Sequence, residues 1–171
     1  MDALATADPV TAPLTFEEFF EAERRRLLRA LIVLTGNPEE AEEVLQDAFL
    51  SLWERWERVA ALEDPTGYLY RTALNRQRSR VRRAVRAARR AAGTAHGGDL
   101  FAEADERDAI ARALAQLTPR RREAIVMTEM LGYGSAEAGR AMGVSDVTVR
   151  RLAQEARADL RRALGANDDV R

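Results

Sequence analysis

Ser135-Ala-Glu-Ala-Gly139-Arg-Ala-Met142-Gly143-Val144-Ser145-Asp-Val-Thr148-Val149-Arg150-Arg151-Leu152 decides how this chain folds. Its register is that of two short helices joined by a tight turn. Gly139 is small enough to let the helices approach closely, Gly143 suits the positive φ of the turn, and Val149 falls where it plugs the core of the pair. Ala138, Met142, Val144 and Leu152 supply the other apolar positions. Ser145 stands where its hydroxyl accepts from an unpaired N–H in the first turn of the second helix. Turning Val149, Leu152 and Ala156 inward leaves Val147, Arg151 and Gln154 pointing out, flanked by Thr148 and Arg150. Arg pairs with the O6/N7 edge of guanine and Gln with adenine, so this face suits a DNA groove. A solvated face also carries arginines, and charge alone does not separate the two.

Working outward, the 171 residues suffice for one ordinary domain or two small ones. The formal net charge is −1, but it is unevenly spread. Residues 1–70 are acidic, whereas Arg71 to Gly98 hold nine arginines and no acid. Every basic side chain is a guanidinium, because lysine is absent. That composition suits forked phosphate contacts, and codon bias in a GC-rich genome produces it too. Cysteine is also absent, which removes disulfides, thiolate catalysis and cysteine zinc sites. No run is long and apolar enough for a membrane span or a secretory leader, so the expected location is the cytoplasm.

Upstream, residues 1–14 have no periodicity and read as a frayed arm. Thr15 and Glu18 form a capping box that opens a helix to about Leu34. Asn37, Pro38 and Glu40 repeat the signal for a second helix reaching about Val59. Ala41, Val44, Leu45, Ala48, Leu52, Trp56 and Val59 form its inner side. Glu43, Gln46, Asp47 and Leu50 face out, with Phe49 and Trp53 on the shoulder. A polar rim around exposed apolar groups suits a protein docking surface, although the two aromatics equally suit packing on a neighbouring helix.

Asp64-Pro65 starts a third helix that buries Tyr68, Leu69, Ala73 and Leu74. It continues into Asn75-Arg76-Gln77-Arg78-Ser79-Arg80-Val81-Arg82-Arg83, with arginine on nearly every azimuth. A polyanion would relieve that repulsion; a charged linker is the alternative. Residues 91–102 are small and glycine-rich and read as an interdomain linker, and His96, the single histidine, lies there without partners. From residue 103 a short helix places Ile110, Leu114 and Leu117 inward. Thr118-Pro119 caps the next, Pro119 to Leu131, with Ile125, Val126 and Met130 inside. Arg120, Arg121 and Arg122 crowd its positive end, which calls for an offsetting anion such as phosphate. Gly165 is expected to stop the last helix, leaving 166–171 as a tail.

In this order the parts resemble a two-domain sigma factor of the extracytoplasmic-function (ECF) group. Glu40 to Trp53 is similar to the region 2.2 signature, Pro65 to Asn75 to the start of the promoter-melting helix, and Leu117 to Ile125 with the helical pair to region 4. The resemblance implies an all-α fold: region 2 over 15–90 and region 4 over 103–165, joined by a flexible linker. It implies that Glu43, Gln46, Asp47, Leu50 and Trp53 dock on the β′ clamp helices of core RNA polymerase, with region 4 near the β flap. Tyr68, Arg71, Asn75, Arg78 and Arg82 would engage the −10 element. Thr148, Arg150, Arg151 and Gln154 would read the −35 element, with Arg120 to Arg122 near its phosphates. Promoter DNA and an anti-sigma factor are the other implied partners. Tyr68, Ser79, Ala138 and Glu155 depart from the family pattern, Glu155 standing where Arg is frequent. No nucleophile, base or metal cluster is present, so neither enzyme, metal nor cofactor is expected. A sigma-like decoy without promoter activity is the competing reading.

Overall fold

The computed structural model of the chain describes residues 14–91 and 107–168, which are helical and contain no strand. Helix α1 (Phe16–Thr35) opens with the expected capping box: Thr15 Oγ1 accepts from the Glu18 N–H (3.2 Å), and the Glu18 carboxylate accepts from the Thr15 N–H (3.0 Å). Helix α2 (Pro38–Trp53) is capped by the Asn37 side chain, which accepts from the N–H groups of Glu39 and Glu40. The reciprocal bond expected from Glu40 is replaced, because the Asn37 N–H donates to Thr35 Oγ1 (3.1 Å).

The second helix ends at Trp53 rather than Val59. The backbone breaks at Glu54–Arg55 and restarts as α3 (Trp56–Ala60). This turns Trp56 back under α1, with its ring 5.5 Å from that of Phe16 and 5.0 Å from that of Phe19. Burying an indole among phenyl rings outweighs the few helical hydrogen bonds lost at the break. Helix α4 (Pro65–Ala91) starts where Asp64 Oδ1 accepts from the Gly67 N–H (2.7 Å), and Leu69, Tyr70, Ala73 and Leu74 bury its first half.

The second group comprises α5 (Arg107–Gln116), α6 (Pro119–Ile125), a π turn (Val126–Met130), α7 (Ser135–Met142) and α8 (Asp146–Asp168). The single helix expected from Pro119 to Leu131 changes pitch halfway, where the Leu131 N–H reaches back five residues to the Val126 carbonyl (3.0 Å). The wider turn rotates Met127 into the core and leaves Met130 44% exposed, reversing the inward placement expected of Met130. Ile110 is exposed as well, and Ala113 and Leu117 fill the core from that side. Gly165 does not stop α8, because its φ is not positive and one glycine costs a helix only about 1 kcal/mol.

The two groups pack directly on each other. Helices α1 and α4 lie against α6, the π turn and α7, and one buried core runs from Phe19 through Tyr70 to Val149. Guanidinium groups of Arg26, Arg122 and Arg78 cross the boundary. Arg26 donates to the Leu131 carbonyl, Arg122 to the Leu34 carbonyl (3.2 Å), and Arg78 makes a two-pronged pair with Glu123 (2.9 and 2.7 Å). The rings of Tyr70 and Tyr133 meet edge to face at 5.7 Å. The predicted linker beyond Ala91, with His96, lies outside the described residues, as do the N-terminal arm before Leu14 and the tail after Asp168.

Candidate nucleic-acid interface

Helices α7 and α8 form the expected pair. A Cβ added to Gly139 would lie 2.8 Å from the Val144 carbonyl oxygen, so no larger residue fits this crossing without moving backbone. Gly143 ends α7 with φ 70°, and Ser145 Oγ accepts from the Thr148 N–H (3.2 Å) to start α8. Ala138, Met142, Val149, Leu152 and Ala156 are buried between them. On the other side Val147 is 62% exposed, and Arg150, Arg151 and Gln154 face solvent. Thr148 is half-buried, its hydroxyl 2.8 Å from that of Ser145. Arg150 pairs with Asp146 (2.9 Å) and Arg151 with Glu155 (2.7 Å), both one turn away on α8.

The three arginines of α6 behave differently from expectation. Arg122 is half-buried and donates to the carbonyls of Leu34, Leu114, Ala115 and Leu117, and burial pushes its pKa down. Arg120 bonds Glu123 (3.1 Å) and the Met142 carbonyl (3.0 Å). Arg121 binds Glu155 through Nε (3.0 Å) and Asp159 through Nη1 (2.8 Å). No phosphate is therefore needed to offset cations at the positive end of α6. Carbonyl and carboxylate oxygens of the chain itself hold all three. The Glu155 carboxyl is kept below the usual range by hydrogen bonds from Arg121 first and Arg151 second.

On α4 the structure sorts arginines that the sequence spread over every azimuth. Asn75, Ser79, Arg82 and Arg86 share one face and line an open groove of about 530 Å³. Arg82 Nη2 donates to Ser79 Oγ (2.9 Å), and Arg76 to Ser51 Oγ (2.6 Å). Arg71 and Asn75 are exposed, whereas Tyr68 is half-buried against the core. Arg78 leaves the set, since its guanidinium is occupied by Glu123.

On α2, Gln46 is exposed and Asp47 half-buried, while Glu43 is exposed but paired with Arg80. Leu50 and Trp53 are 55% and 60% exposed, and Phe49 is buried. Packing on α1 thus claims Phe49 and leaves Trp53 free. Phe16 and Phe20 of α1 join Gln46, Leu50 and Trp53 around an apolar groove of about 500 Å³. Sequence reading missed the contribution of α1 to this groove, since its aromatics read only as core. It also missed Glu123 and Asp159, because their cross-helix partners, Arg78 and Arg121, leave no local spacing to detect.

Two family models match the chain: "Sigma-70 region 2" over residues 19–87 and "Sigma-70, region 4" over residues 107–160. The ECF RNA polymerase sigma factor SigM of Mycobacterium tuberculosis is 32% identical over 156 residues, covering 88% of this chain and 77% of that protein. The chain belongs to the ECF sigma factors. The RNA polymerase sigma-E factor of Streptomyces avermitilis is 27% identical over 157 residues, covering 91% of this chain and 88% of its own. Among solved structures, sigma factor RpoE of Bartonella quintana, in complex with the anti-sigma factor NepR, shares the fold with a TM-score of 0.76 at 19% identity. That match spans 88% of this ECF chain and 96% of RpoE. CnrH, in complex with the cytosolic domain of CnrY, matches with a TM-score of 0.62 at 27% identity and 88% coverage of each chain.

Proposed function

We propose that this ECF sigma factor docks on core polymerase through the α1–α2 groove, engages the −10 element through α4 and reads the −35 element through α8. It is an alternative initiation subunit, and the chemistry of RNA synthesis stays with the polymerase. The observation that carries the assignment is one chain joining an exposed Arg150/Arg151/Gln154 ridge on a helix-turn-helix to an exposed Gln46/Leu50/Trp53 surface. Glu43 and Asp47 make the rim of that surface acidic. Arg71, Asn75 and Arg82, with Tyr68 at the edge, are the −10 contacts in this reading. Thr148, Arg150, Arg151 and Gln154 are the −35 contacts. Arg120, Arg121 and Arg122 are left out, because carboxylate and carbonyl oxygens of the chain itself already hold all three.

The reading requires the molecule to open. A chain of this length packed as one body is about 40 Å across. Elements centred at −10 and −35 are roughly 85 Å apart on B-form DNA, at about 3.4 Å per base pair. Region 4 must leave region 2 to reach both, and Arg78 is then released from Glu123 towards DNA. The complex of RpoE with the anti-sigma factor NepR supports a partner of that kind for this chain. The location that follows is that of the polymerase; among the described residues no helix is long and apolar enough to cross a membrane.

Run-off transcription with purified core polymerase and genomic fragments tests the assignment. Promoter-specific transcripts are expected. Polymerase binding without any specific transcript would identify a decoy instead.

A further inference from the structure

Glu155 puts a carboxylate on the helix assigned to the −35 element, one turn beyond Arg151 and next to Gln154. It is held on both oxygens. Oε1 accepts from Arg151 Nη1 at 2.7 Å, and Oε2 accepts from Arg121 Nε at 3.0 Å, with the charged Nη2 2.9 Å away. Arg121 is itself anchored by Asp159 (2.8 Å), whose other oxygen takes Arg162. The chain of contacts therefore runs from α6 across to α8 and ends on the guanidinium that points at the groove. Arg151 commits one N–H to Glu155 and keeps the rest of its planar fork free, with its side chain 62% exposed. A free arginine surrenders much rotamer entropy when it is fixed on a base, and one already oriented surrenders less.

We infer that Glu155, clamped by Arg121, is a positioning residue that sets Arg151 for a two-acceptor base edge of the guanine type. Arg121 then acts on sequence selection through Glu155 and makes no contact with the phosphate backbone. This rests on the assignment of α8 to the −35 element.

The experiment uses holoenzyme assembled from the full chain and core polymerase, binding promoter fragments randomised across the −35 element, with bound fragments sequenced. R151A locates the position that Arg151 reads. E155A and R121A are each expected to lower the preference at that same position by roughly fivefold. Preferences elsewhere and the salt dependence stay unchanged. E155Q, which keeps the volume and one acceptor, is expected to fall between wild type and E155A, and the R151A/E155A pair is expected to be no worse than R151A alone. R121A weakening every sequence alike, with the salt slope falling by about one, would make Arg121 a phosphate contact and overturn the inference. Unaltered preference in both E155A and E155Q would reduce the network to a structural brace and overturn it too. A wild-type holoenzyme that selects no −35 sequence would defeat the promoter assignment itself, which is a separate result.

Discussion

Replacing Glu123 with alanine tests whether the closed arrangement is held by the ion pair between the two regions. Glu123 is 7% exposed and accepts from Arg78 at 2.9 and 2.7 Å and from Arg120 at 3.1 Å. Removing one member of a fully buried pair costs about 3–5 kcal/mol, because the partner is left charged and dry. Arg78 keeps 18% of its side-chain surface in water and Arg120 keeps 48%, so the cost falls below that range, to about 2 kcal/mol. Opening the interface rehydrates Arg78, so this cost falls on the closed form alone. The ratio of open to closed molecules is expected to rise roughly thirtyfold. The chain contains no cysteine, so cysteines introduced at Glu57 and Arg161, both exposed, label one site in each region. Energy transfer between the dyes should fall in E123A and equally in R78A, with no further fall in the double variant. Unchanged transfer in E123A, with helical content intact by circular dichroism, would refute the claim that this pair holds the regions together.

Three other outcomes follow from the same packing. W53A should weaken core polymerase binding at least tenfold while shifting stability by no more than about 0.5 kcal/mol, since an exposed ring contributes little to folding; calorimetry and a binding titration separate the two. G139A should destabilise region 4 by about 1–3 kcal/mol in urea melts, because its Cβ would sit 2.8 Å from the Val144 carbonyl oxygen, and an unchanged midpoint would refute the close crossing. Burial, aided by Glu23 at Tyr70 and by Asp64 at Tyr133, raises the pKa of both phenols. Their stabilisation is complete below the unfolded tyrosine pKa of about 10 and is lost as pH rises above it, where the unfolded chain ionises first. With lysine and cysteine absent, Y70F/Y133F should largely flatten the fall in urea midpoint above about pH 10.

Caps and periodicity were legible because they are local. Thr15 with Glu18, Asn37, Asp64 and Thr118 each bond within three residues, and Gly143 and Ser145 dictate the helix-turn-helix at the same short range. The outward positions of Gln46, Leu50, Arg150, Arg151 and Gln154 followed from helical periodicity once the inner sides were known. Other features were not readable this way. The break at Glu54–Arg55 depends on rings of α1, and the outward Met130 depends on a π turn that no single residue announces.

Sequence alone established which segments are helical, where most of them begin, and which sides carry guanidinium or exposed apolar groups, because those properties rest on contacts within one or two turns. Packing between helices settled which arginines are held across helices and which have only partners on their own helix. Arg78, Arg121 and Arg122 look the same in sequence as Arg82 and Arg151, yet folding brings Glu123, Glu155 and the carbonyls of Leu114 and Ala115 against the first three. A guanidinium has donors enough for several partners, and only the folded arrangement says which ones reach it first.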